Sequence, residues 1–132
     1  MNNLKLRRHI SNAEQCNLCN ANIDQSIIYD ENNKTLNIPP DFNEELINIP
    51  FGTEKIFFDN YSEFNQPIDN LPNNITHLTF DYEFNQPVDK LPKSITHLFF
   101  GQSFNQPIDN SPNGIICLLL FSNYNFINNL PF

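Results

Sequence analysis

Apolar residues in this chain come in short bursts separated by polar, Pro-punctuated segments, and the bursts recur at a fixed distance. From Ile75 to Phe80 the order is Ile75-Thr76-His77-Leu78-Thr79-Phe80, which separates Ile75, Leu78 and Phe80 from Thr76, His77 and Thr79. Leu78 and Phe80 lie two residues apart, as side chains on one face of a β-strand do. The pattern predicts further strands within Ile95 to Phe100 and Ile115 to Leu120, and a weaker one at Lys55-Ile56-Phe57-Phe58. Pro67 and Pro72 break any continuous helix, so the segments between strands are predicted to be extended and polyproline-like.

The polar segments repeat as faithfully as the apolar ones. Phe64-Asn65-Gln66-Pro67-Ile68-Asp69 returns as Phe84-Asn85-Gln86-Pro87-Val88-Asp89 and as Phe104-Asn105-Gln106-Pro107-Ile108-Asp109, in steps of 20 residues. Leu71-Pro72-Asn73-Asn74-Ile75-Thr76-His77-Leu78 matches Leu91-Pro92-Lys93-Ser94-Ile95-Thr96-His97-Leu98, and a diverged copy begins at Ser111-Pro112. Residues 42–63 hold a degenerate unit with a two-residue insertion, followed by units at 64–83, 84–103 and 104–123 and a partial unit at 124–132. A fixed period of this length identifies a solenoid, in which each unit buries its apolar face only against its neighbours. Twenty residues hold a strand and two corners with little room for helix.

The phrase Phe-Asn-Gln-Pro-Ile, followed by Leu-Pro-x-x-Ile-Thr-His-Leu, resembles the FNIP repeat, a relative of the leucine-rich repeat. The resemblance implies short parallel strands lining a concave face, a convex side of extended loops, and a protein-interaction surface without catalytic residues. In larger relatives such repeats accompany F-box-like or zinc-binding modules linked to ubiquitin transfer. It also implies that Asn65, Asn85, Asn105 and Asn125 form an asparagine ladder, each amide bonding backbone groups at the corner between turns. Residues 1–41 lack the phrase and are expected to form an N-terminal cap or flexible arm, with room for a short helix.

Strand alternation assigns the outward positions to successive rungs, Lys55-Phe57-Asp59, His77-Thr79-Asp81, His97-Phe99-Gly101 and Cys117-Leu119-Phe121. Phe57, His77, Thr79, His97, Phe99, Leu119 and Phe121 are therefore the candidate partner-binding residues, forming an apolar strip of the kind that marks partner surfaces.

Charge narrows the classes of partner. The net charge of −8, with seven basic residues in all, argues against nucleic acid and against anionic membranes. Lys5, Arg7 and Arg8 cluster near the start but read as a solvated tail. No apolar stretch follows them as a secretory signal requires, and the longest apolar run, Ile115 to Phe121, is too short to span a bilayer. Three cysteines cannot all pair within one chain, which fits an intracellular, cytoplasmic setting.

Candidate chemistry is sparse. Cys16-x-x-Cys19, with His9 upstream, has zinc-knuckle spacing but lacks a second ligand pair. His77, His97 and Cys117 share one column, but a straight ladder suits tetrahedral zinc poorly. Asp69, Asp89 and Asp109 recur without the glycine-rich loops of calcium sites and read as turn residues. Three glycines exclude a phosphate-cradling or dinucleotide loop, and no nucleophile-base constellation is present. The expectation is a non-enzymatic protein-protein interaction module without cofactor or metal, its partner a protein. Two alternatives stand beside it. One is a structural protein that self-associates through its solenoid ends, and the other a small zinc-binding adaptor linked to ubiquitin transfer.

Overall fold

In the computed structural model, the described residues are 7–8 and 27–126. They form one sheet of seven strands whose spatial order follows the chain. The strands are β1 (Arg7–Arg8), β2 (Ile28–Asp30), β3 (Thr35–Ile38), β4 (Lys55–Phe58), β5 (His77–Thr79), β6 (His97–Phe99) and β7 (Cys117–Leu119). From β3 onward every pairing is parallel, in the register Thr35↔Lys55↔His77↔His97↔Cys117. This is a β-solenoid of about four turns, with no helix among the described residues.

The N-terminal end departs from the parallel pattern. Strands β2 and β3 form an antiparallel hairpin, while β1 pairs with β2 in parallel. Asp30 makes the tight reversal. Its Oδ1 accepts from the N–H groups of Asn32 (2.9 Å) and Asn33 (3.3 Å), and Lys34 takes the left-handed φ of 53°. The ladder thus begins at Thr35, inside the segment expected to be a cap or arm. Leu36 and Ile38 keep the inward alternation of later strands, but no Phe-Asn phrase precedes them to mark the unit.

Each return segment is held by proline carbonyls at its corner. Ile75, Ile95 and Ile115 donate their N–H groups to Pro72 O, Pro92 O and Pro112 O at 3.3, 3.2 and 3.4 Å. The chain then enters the ladder, where Thr96 and His97 both donate to Thr76 O, and Ile116 and Cys117 both donate to Thr96 O. Inward residues form stacks running along the solenoid, with Ile56, Leu78 and Leu98 fully buried on successive strands. Phe42, Phe64, Phe84, Phe104 and Tyr124 stack at centroid spacings of 6.2, 6.1, 6.1 and 6.0 Å, nearly coplanar throughout. A second column, Phe58, Phe80 and Phe100, packs against the first, as close as 3.6 Å between Phe100 and Phe104. Aromatic pairs at the spacing of the first column add to ordinary burial.

The turn from β4 to β5 spans 22 residues where its neighbours span 20. The extra two lie in the corner after Phe58, where Tyr61 takes a left-handed φ of 62° and the Oγ of the buried Ser62 accepts from Phe64 N–H at 3.2 Å. The insertion is absorbed there, because the Phe42–Phe64 stack keeps the spacing of the other pairs.

Candidate binding face

The parallel register lines up the outward side chains in columns. Phe57, Thr79, Phe99 and Leu119 are direct register partners on β4 to β7, and Lys55, His77, His97 and Cys117 form the column beside them. Exposure follows position. Phe57 is 37 %, Leu119 52 % and Phe121 49 % exposed, while Thr79 and Phe99 are half-buried. Phe57, Thr79, Phe99, Leu119 and Phe121 line one groove of about 360 Å³ together with Phe80, Asp81, Phe100 and Gly101. The strip expected from alternation is thus continuous over four strands.

Gly101 shapes the middle of this groove. A Cβ built there would lie 2.1 Å from the Asp81 carbonyl oxygen and 2.9 Å from Tyr82 N. The two chains approach this closely only because residue 101 has no side chain. Asp59 and Phe121 occupy the same place in neighbouring turns, so this edge runs from acidic, through bare backbone, to aromatic. The Asp81 carboxylate accepts from the Tyr61 N–H, which fixes its position on the rim.

His77 and His97 stand beside the groove. Their rings stack at 4.2 Å with an interplanar angle of 5°. Each Nδ1 lies 2.9 Å from the hydroxyl of the preceding threonine, Thr76 or Thr96. Burial lowers the His77 pKa below its ordinary value, and the neighbouring His97 and Lys55 act in the same direction. Cys117 continues the column as a partly exposed free thiol. Among the described residues no group of three or more His, Cys, Asp or Glu is arranged to hold a metal ion. Cys16, Cys19 and His9 lie outside the described residues.

The repeated asparagines serve the framework. The side-chain Oδ1 atoms of Asn65, Asn85 and Asn105 accept from the backbone N–H of Asn85, Asn105 and Asn125 at 2.9, 2.9 and 3.1 Å. Asn43 Oδ1 does the same for Asn65 N–H at 2.9 Å, adding a rung that sequence reasoning left out. Gln86 and Gln106 donate back to the carbonyls of Asn65 and Asn85, both at 3.1 Å. Asp69 pairs with Lys90 at 3.0 Å, and Asp89 accepts from Asn110 at 3.3 Å, so these carboxylates tie adjacent turns together.

The FNIP Repeat family model matches residues 64–103 and 87–118. Residues 64–118 belong to the FNIP-repeat family. No curated protein and no solved structure matches the chain. The FNIP phrase spells out the inside of the solenoid. Its Phe builds the aromatic stack, its Asn the ladder, and its Ile-x-x-Leu the buried strand residues. The groove's outward column of Phe57, Thr79, Phe99 and Leu119 differs from turn to turn, whereas His77 and His97 beside it belong to the repeated phrase.

Sequence reasoning missed the contribution of Phe80 and Phe100 to the groove, because alternation assigns them wholly to the core. The signal for Gly101 was present, since it stands alone where the matching positions carry Asp59, Asp81 and Phe121. Among the described residues no helix is long and apolar enough to cross a membrane.

Proposed function

We propose that this FNIP-repeat protein is a non-catalytic protein-protein interaction module that binds its partner on the outward face of the sheet. The observation that carries the reading is the groove over β4 to β7, where Phe57, Leu119 and Phe121 leave large apolar surface open to solvent. Contiguous exposed apolar surface is uncommon on a monomer, and a preformed concavity supplies the central desolvated contacts that dominate binding energy. Support for a non-enzymatic role comes from the framework itself, in which the repeated polar groups are engaged in the ladder and the corners.

The test replaces Phe57, Phe99, Leu119 and Phe121 with serine in one variant, with circular dichroism confirming the fold. Affinity capture from the native cell is then read by mass spectrometry for both proteins. Specific partners lost from the variant support the face, whereas the same partners retained at the same yield place binding elsewhere. A second reading, self-association through the solenoid end, is favoured by Ile116, which is 79 % exposed next to β7. Light scattering over a concentration series distinguishes the two, since assembly requires a mass that grows with concentration.

A further inference from the structure

Two features of the groove's rims specify the chemistry of what it binds. The first is the anchoring of the two imidazoles. Thr76 Oγ1 lies 3.1 Å from Glu54 O and 2.9 Å from His77 Nδ1. Glu54 O already accepts from the backbone N–H groups of Thr76 and His77, so the Thr76 hydroxyl is shared between that carbonyl and the ring nitrogen. The arrangement repeats one turn on, where Thr96 Oγ1 lies 3.2 Å from Thr76 O and 2.9 Å from His97 Nδ1. Each imidazole is thus tied to its own strand through Nδ1, which leaves Nε2 as its other polar atom. Of the four residues Lys55, His77, His97 and Cys117 in this column, one is a lysine and none an arginine.

The second feature is the opposite rim. Asp81 lines the groove, and Asp59 holds the matching position one turn earlier. Residues 27–126 as a whole carry thirteen Asp and Glu against four Lys and no Arg. Two of those lysines, Lys34 and Lys90, are already paired with Glu54 and Asp69. An apolar strip is thus flanked by imidazoles on one side and carboxylates on the other, within a negative field that favours a partner of opposite sign.

We infer that the groove takes an extended segment of a partner protein in which large apolar side chains are neighboured by arginine or lysine. This rests on the proposed binding role of the face. The apolar residues fill the space between Phe57, Phe99 and Leu119, and the cations reach the Asp59 and Asp81 carboxylates on the rim. Three strand spacings separate Phe57 from Leu119. At about 4.8 Å each they span about 14 Å, the reach of about four extended residues. An acidic segment with the same apolar residues would meet like charge on the Asp59–Asp81 rim.

Fluorescence anisotropy on the full chain at physiological salt tests this with three short synthetic peptides. One alternates Leu or Phe with Arg, a second carries Glu in place of Arg, and a third carries Ser in place of the apolar residues. The apolar-Arg peptide is expected to bind at least about tenfold more tightly than either of the others. Phe99→Ser should remove that binding, and Asp81→Asn, which keeps an acceptor for Tyr61, should weaken it about threefold. Glu-peptide binding as tight as that of the Arg peptide, and lost in Phe99→Ser, overturns the charge assignment but leaves the face standing. Arg-peptide binding unchanged in Phe99→Ser overturns both. Absence of binding by all three overturns the inference alone, because the capture experiment judges the face independently.

Discussion

Replacing Ser111 with leucine should make the protein more stable. Leu71 and Leu91 fill the corresponding place in the two preceding turns, each 8 % exposed, and Ser111 is buried to 6 %. The backbone there is the same, since Leu91 and Ser111 both donate N–H to the carbonyl three residues back, at 3.4 and 3.0 Å. Ser111 Oγ finds no hydrogen-bond partner among the described residues. A buried hydroxyl without a partner costs about 1–3 kcal/mol. Burying a leucine side chain contributes about 1.5–3 kcal/mol, from which about 1 kcal/mol is lost to imperfect repacking. Ser111→Leu should therefore gain about 2 kcal/mol, and Ser111→Ala, which removes the hydroxyl without filling the slot, about 1 kcal/mol. Urea unfolding gives these differences directly, and a domain of this size should show a melting shift of about 8 °C or more for leucine. The reasoning fails if leucine proves less stable than alanine, because the slot would then not be the leucine-shaped space the repeat implies.

Gly101→Ala should destabilise by about 3 kcal/mol or more, since its Cβ meets the Asp81 backbone, which cannot swing aside. Gly114→Ala, whose nearest neighbour is Lys93 O at 3.8 Å, is the control and should change the urea midpoint little. Acidification should weaken the fold through His77. Its lowered pKa means the folded chain binds fewer protons than the unfolded one just below the ordinary value of 6.5, so stability is full above that pH and falls as the pH drops through the window. Melting temperatures at about pH 7.5 and pH 5.5 should differ less in His77→Gln than in the parent, and an identical slope in both would refute the assignment.

Much of this molecule is legible because its physics repeats. A position that must be aromatic to continue the stack is Phe at 64, 84 and 104, so the framework is written three times over. The outward columns are legible for the same reason, since alternation fixes which side chains leave the core once the strand is located. What escaped the sequence is what happens once. Strand β3 has no phrase before it because a hairpin delivers it in place of a return segment. Phe80 and Phe100 line the groove beside the close approach at Gly101, a tertiary arrangement that no local pattern carries. The histidine stack required a known register before two separate Thr-His pairs could be seen as touching.

The near-identity of successive turns has a consequence for how the chain finds its place. A strand displaced by one whole repeat meets the same inward leucine, the same stacking phenylalanine and the same asparagine acceptor as in its proper position. Slippage by a full turn is therefore penalised weakly by local contacts, and a loop of expelled repeat is the characteristic error open to such a sequence. Two irregularities break that degeneracy. The antiparallel hairpin delivers β3 to β4 by a reversal that no later turn among the described residues repeats, and the 22-residue turn has its extra residues at the corner that seats Tyr61 and Ser62. Together they give the solenoid an origin from which its later turns are counted.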